Sequence, residues 1–266
     1  MHSLDDLRAG RLKGTRHLRL SAGLSEFPRE IFDLADSLEV LDLSGNGLSS
    51  LPDDLPQLHR LRILFCSGNP FQELPEVLGR CPALEMVGFK SCQIMSVPAA
   101  SLPPRLRWLI LTDNQVEALP ATLGRCGRLQ KLMLAGNRLR SLPPELAACS
   151  RLELLRIAAN QLTELPDWLL RLPRLSWLAY AGNPLCGSDD EAGRSARDAS
   201  PISWRSLALH DVLGEGASGV IHRAIRHHGA ECENVAVKLI IDGPFNDFNG
   251  VIEEVNDEKK KLKVQV

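Results

Sequence analysis

Leu129-Gln-Lys-Leu132-Met-Leu134-Ala-Gly-Asn137-Arg-Leu139-Arg-Ser-Leu142-Pro143 returns 23 residues later as Leu152-Glu-Leu-Leu155-Arg-Ile157-Ala-Ala-Asn160-Gln-Leu162-Thr-Glu-Leu165-Pro166. The same register runs outward in both directions. Upstream stand Leu38, Leu41, Leu43, Asn46, Leu48, Leu51 and Pro52, and then Leu61, Leu64, Cys66, Asn69, Phe71, Leu74 and Pro75. Asn falls at 46, 69, 114, 137, 160 and 183, and Cys92 fills the one gap in that series. Six units occupy residues 38–174. A weaker unit precedes them (Leu18, Leu20, Leu24, Phe27, Pro28), and a truncated one follows (Leu175, Leu178, Tyr180, Asn183, Leu185).

The pattern has a physical reading. In Leu-x-Leu both leucines point the same way, as alternate residues of a strand do. One such strand cannot bury that face alone. Stacked copies form a parallel sheet over a shared core, each coil contacting its neighbours. Asn tolerates tight-turn backbone, and its amide can bond main-chain groups in the turn after each strand. The Leu-Pro step ends any helix and is expected to open an extended or irregular return. A long amphipathic helix is excluded by seven Pro at matching places (28, 52, 75, 98, 120, 143, 166), because Pro fits helix interiors so poorly.

Composition agrees. The chain has 266 residues, a formal net charge of −2, 5% aromatics and 47 Leu. A core made almost wholly of Leu points to a repeated unit. A general nucleic-acid binder would carry a basic excess, so no nucleic-acid partner is expected. No run of 18 apolar residues exists, so no membrane partner is expected. The N-terminal residues lack a signal-peptide pattern, and the seven Cys form no CxxC pair. Reduced thiols and a cytoplasmic location are the expectation.

About residues 12–186 resemble the leucine-rich repeat family, in its intracellular Leu-Pro form. The resemblance implies an α/β solenoid, with parallel strands on a concave face that recognises proteins. The positions between the core leucines should line that face. One column is Val40, Ile63, Met86, Trp108, Lys131, Leu154 and Trp177; the next is Asp42, Phe65, Gly88, Ile110, Met133, Arg156 and Ala179. Ile63, Phe65, Trp108, Ile110 and Met133 cluster in the middle coils, and Arg156 continues their column. These six are the expected partner contacts. The alternative is that another part of the chain covers them. Cys81, Cys126 and Cys149 recur in one place of three coils and read as buried small apolar residues.

Composition changes after Cys186. Residues 1–186 read as the repeat domain, about eight repeats. Residues 187–202 are small, polar and aperiodic, which reads as a linker. In residues 203–266 a strand-like run leads into Gly214-Glu-Gly216-Ala-Ser218-Gly219-Val220. An alternating run and a turn at His227-His228-Gly229 follow, and then Val235-Ala236-Val237-Lys238. Taken alone the glycines fit a dinucleotide turn, a nucleotide loop or a plain hairpin. Strand-like rather than helical residues after Gly219 disfavour the first.

The two motifs at this spacing resemble the start of a protein-kinase domain. The resemblance implies ATP as the ligand, with Gly214, Gly216, Ser218 and Gly219 at its phosphates and Lys238 pairing with the α- and β-phosphates. Leu213, Val220 and Ala236 would surround the adenine. The match covers only the first strands. Neither His-Arg-Asp nor Asp-Phe-Gly occurs. The expectation is therefore weak ATP binding at most, no Mg, no catalytic residue and no phosphotransfer, as in a truncated repeat–kinase protein. The charged ending is expected to be a short helix. Two other readings stand beside this one. One is a pure protein-recognition scaffold without nucleotide binding. The other is a repeat effector with a ubiquitin-ligase tail, disfavoured because Cys232, the only Cys after the linker, lies among strand-like residues.

Overall fold

The computed structural model describes residues 2–186, 206–216, 219–228, 231–239, 251–256 and 261–265. The chain divides into two compact units, Met1–Cys186 and Gly187–Val266.

The first unit is a stack of coils. Each contributes one three-residue strand: β1 (His17–Arg19), β2 (Val40–Asp42), β3 (Ile63–Phe65), β4 (Met86–Gly88), β5 (Trp108–Ile110), β6 (Lys131–Met133), β7 (Leu154–Arg156) and β8 (Trp177–Ala179). They form one parallel sheet in chain order. The middle residue of each strand pairs in register with the next: Leu18, Leu41, Leu64, Val87, Leu109, Leu132, Leu155 and Leu178. All but Leu178 are buried. Removing these side chains from water is the main force holding coil to coil.

The return segments are more regular than the Leu-Pro step alone suggests. Most coils carry a short 3₁₀ turn, for example Glu76–Arg80, Ala121–Arg125 and Pro144–Ala148. Pro75, Pro120 and Pro143 stand immediately before these turns with φ of −60°, −71° and −64°. Pro fixes φ near this value and lacks an N–H that the first turn would leave unpaired anyway, so it opens the turn rather than preventing it.

The Asn series is a buried hydrogen-bond ladder. Asn137 Nδ2 donates to Leu134 O of its own coil at 3.0 Å and to Leu111 O of the preceding coil at 2.8 Å. Its Oδ1 accepts from Val116 N at 3.0 Å. Asn69, Asn114, Asn160 and Asn183 repeat this bridge. Cys92 keeps only the donor side, with its thiol on Cys66 O at 3.2 Å. The amide of Phe71, which an Asn oxygen could have taken, turns to Asn69 O instead. The residue before each ladder position has positive φ: Gly45, Gly68, Gly136 and Gly182, but also Ser91, Asp113 and Ala159.

The two ends differ. At the N-terminal end, helix α1 (Leu4–Arg8), capped by the Ser3 hydroxyl, buries Leu7 against the first coil. At the last coil Leu178, Tyr180 and Leu185 are only partly buried. Cys66, Cys81, Cys92, Cys126 and Cys149 are buried free thiols, as the repeat register implies.

The second unit holds an antiparallel sheet ordered β11-β10-β9, from β9 (Leu207–Gly216), β10 (Gly219–His228) and β11 (Glu231–Leu239). A hairpin of β12 (Val251–Asn256) and β13 (Lys261–Gln265) follows. This corrects the short helix expected there. Val251, Ile252 and Val255, and Leu262 and Val264, supply the β-branched and apolar residues that favour strands, outweighing the helix preference of the intervening lysines. Among the described residues no helix is long and apolar enough to cross a membrane.

Candidate functional site

The sheet has one face turned away from the leucine core. Its side chains are those of the first and third residue of every strand, the two columns read from the sequence. Ile63, Phe65, Met86, Trp108, Ile110, Met133 and Leu154 are all partly accessible, which is unusual for so many large apolar groups in adjoining strands. Trp177 is 48% exposed. Arg156 is exposed. The six residues expected to touch a partner therefore lie on one continuous face, with Trp108 paired in register to Lys131 and Ile110 to Met133.

Two contacts shape that face. A Cβ on Gly88 would come within 2.5 Å of Phe65 Cδ1, so the Phe65 ring lies across the glycine of the next coil. The Lys131 ammonium stands 3.9 Å from the centre of the Trp108 ring, a cation–π contact between adjacent coils.

Charged residues follow the face along the side where chain enters the strands. Glu85, whose side chain is 12% exposed, meets Arg62 at 3.0 Å, Arg105 at 3.4 Å and Arg107 at 3.6 Å. Burial opposes ionisation of Glu85. The Arg62 hydrogen bond and the three guanidinium charges outweigh it and hold the carboxyl below its ordinary value. Arg107 reaches on to Gln130 Oε1 at 2.9 Å, and Arg16 lies 3.7 Å from Glu39. The immediate pre-strand position thus forms a ladder of alternating charge across successive coils. Beside it a shallow depression of about 350 Å³ is lined by Glu39, Arg60, Arg62, Ala83, Glu85 and Arg105.

The column two residues before that ladder carries a further signal. Arg60, Arg105, Arg128, Arg151 and Arg174 each stand directly before the first Leu of their coil, in the turn that enters the strand, and all are exposed. Columns chosen for the strands alone pass over this position. Reading the residue in front of each leading Leu would have found it.

The residues expected to hold a nucleotide are in the second unit. Ser218 lies outside the described residues. Gly214 and Gly216 fall on β9, Gly219 and Val220 on β10, and Ala236 and Lys238 on β11. Ile221 pairs with both Gly214 and Lys238, which sets these two backbones on one line across the sheet. Leu213 is 58% exposed.

Residues 127–185 match the family described as Leucine rich repeat, and residues 36–78 the one described as Leucine Rich repeats (2 copies). These segments are leucine-rich repeats. The leucine-rich repeat and calponin homology domain-containing protein 1 of Mus musculus is 33% identical over 119 residues, which is 43% of this chain and 17% of that protein. The chain thus spans less than a fifth of that relative's length. A leucine-rich repeat protein of Leptospira interrogans has a solved structure that covers 69% of this chain and 65% of its own, at 22% identity and a TM-score of 0.43. A likeness of another kind is short and close. Over 27 residues, 10% of this chain, it is 67% identical to 15% of the transcription termination/antitermination protein NusG of Xylella fastidiosa. The repeats form a module suited to protein interaction.

Proposed function

We propose that the chain is a protein-recognition scaffold. Its repeats hold a rigid strand face, and a protein partner docks on the apolar and aromatic side chains of Ile63, Phe65, Trp108, Ile110 and Met133. The observation that carries this is the accessibility of those large side chains on neighbouring strands. Such a patch favours burial by another macromolecule, with aromatic residues as anchors. The Lys131–Trp108 contact and the Phe65 ring on Gly88 support it by holding two anchors in place before binding. The test is display-library panning on the full chain, with a Phe65→Asp/Trp108→Asp variant as counter-screen. Selected peptides should lose binding to the variant. Binders indifferent to both substitutions would refute the reading.

A second reading is nucleotide binding by the small sheet, in a segment of protein-kinase descent. What supports it is strand order: strand, glycine-rich stretch, strand, and a third strand carrying Lys238 in line with Gly214. ATP would then raise the melting temperature of the full chain, and Lys238→Ala would abolish the rise. If ATP leaves melting unchanged, the chain is a scaffold alone.

A further inference from the structure

Arg105, Arg128, Arg151 and Arg174 occupy one position in four successive coils, all exposed, in the turns that lead into β5 to β8. Arg105 leans on Glu85 at 3.4 Å. Among the described residues, Arg128, Arg151 and Arg174 have no hydrogen-bonding or ion-pair partner. The same strands add Lys131 and Arg156, and the only acidic residue in their pre-strand column is Glu153. A chain with a formal net charge of −2 has thus gathered unpaired cations along one edge of its strand face. Like charges repeated at strand spacing repel one another, and a ligand of opposite sign relieves that repulsion.

The spacing selects the ligand. Neighbouring strands lie ~4.7–4.9 Å apart, so four arginines span roughly 14 Å. A helix rises ~1.5 Å per residue, and its positions i, i+4, i+7 and i+11 share a face at steps of about 4.5–6 Å. Carboxylates placed so keep step with the coils. Same-side residues of an extended peptide, at roughly 6.6 Å, fall out of step within two coils. Beside the arginines stand Trp108, Met133, Leu154 and Trp177, partly or largely exposed, which a ligand of charge alone would leave uncovered.

Resting on the scaffold reading above, we infer that the occupant is an acidic amphipathic helix of a partner protein. It lies across β5 to β8, with its carboxylates on Arg105, Arg128, Arg151 and Arg174 and its apolar side on the strand face.

The experiment uses the full chain and an 18-residue fluorescent helical peptide with Glu at i, i+4, i+7 and i+11 and Leu on the adjoining face. The comparison probes are its Glu→Lys counterpart, an 18-nucleotide oligouridine and phosphatidylserine vesicles. The Glu peptide should bind, more weakly as salt rises. The R128E/R151E variant, with unchanged melting, should weaken it at least tenfold and should prefer the Lys peptide. R125E, in a return turn, should leave binding unchanged. The inference is overturned if the Glu peptide does not bind, if R128E/R151E binds it as well as the parent, or if oligouridine or vesicles bind more tightly with the same arginine dependence. Library binders that still require Phe65 and Trp108 but ignore the arginines would leave the scaffold reading standing and remove this one.

Discussion

The ring of Phe65 lies over Gly88, so that a residue of one coil takes its shape from the missing side chain of the next. A Cβ at Gly88 would stand 2.5 Å from Phe65 Cδ1 and 3.0 Å from Cε1. Gly88→Val should therefore lift the ring from its seat and cost about 1–3 kcal/mol of stability, as other overpacked positions do. Urea unfolding measures the cost. Partner binding should fall further than stability explains, because a displaced Phe65 no longer presents the same surface.

Lys131 and Trp108 form a second pair across coils. Lys131→Ala removes the cation 3.9 Å from the ring centre while leaving the indole in place. Being partly exposed, the contact should be worth roughly 0.5–1 kcal/mol in a double-mutant cycle with Trp108→Ala. A coupling near zero would show that the lysine does not steady the indole.

The Asn ladder should dominate local stability. Asn137→Ala strands the Val116 amide and takes one of two donors from Leu111 O and Leu134 O, which keep Asn114 Nδ2 and Asn160 Nδ2. With about 1–3 kcal/mol for the stranded amide and a smaller loss for the two bonds to carbonyls that keep another donor, a loss of roughly 2 kcal/mol or more is expected. Cys92→Ala should cost much less, because Cys92 offers only a weak donor. Equal losses at the two sites in chemical denaturation would refute this account of the ladder.

Ala159 holds φ at 51° where four equivalent coils have glycine. Ala159→Gly should stabilise the chain by up to about 1 kcal/mol, since only glycine adopts this backbone without strain. Gly136→Ala should do the reverse. Its φ is 69°, and the new Cβ would meet Asp113 Oδ1 at 2.6 Å. Thermal melts of the two variants should move in opposite directions.

Buried thiols make stability depend on alkaline pH. Burial pushes Cys81, Cys126 and Cys149 up to about 11 from an ordinary value of 9.0. The unfolded chain ionises these groups first. Their contribution is complete below about pH 9 and is lost progressively as pH rises from there to about 11. Unfolding midpoints should fall across that window, and more shallowly when the three residues are changed together to Ala. At neutral pH a thiol reagent should label exposed Cys232 without denaturant, while the five buried thiols wait for unfolding.

The repeat register was legible in the chain because its signals are local and periodic. Leu129, Leu132 and Leu134 mark a strand that needs neighbours, and Asn137 marks the turn after it. Once copies stack at one period, every side chain's column is fixed, so the placement of Phe65 and Trp108 on a common face could be read directly. Periodicity does not specify how unlike residues meet across coils. The seat of Phe65 on Gly88, the indole beneath Lys131 and the three arginines around Glu85 depend on side-chain directions that only packing sets. The proline turns and the β12–β13 hairpin likewise emerged from the fold, because a single Leu-Pro step or a short charged run is compatible with more than one backbone until its neighbours restrict it.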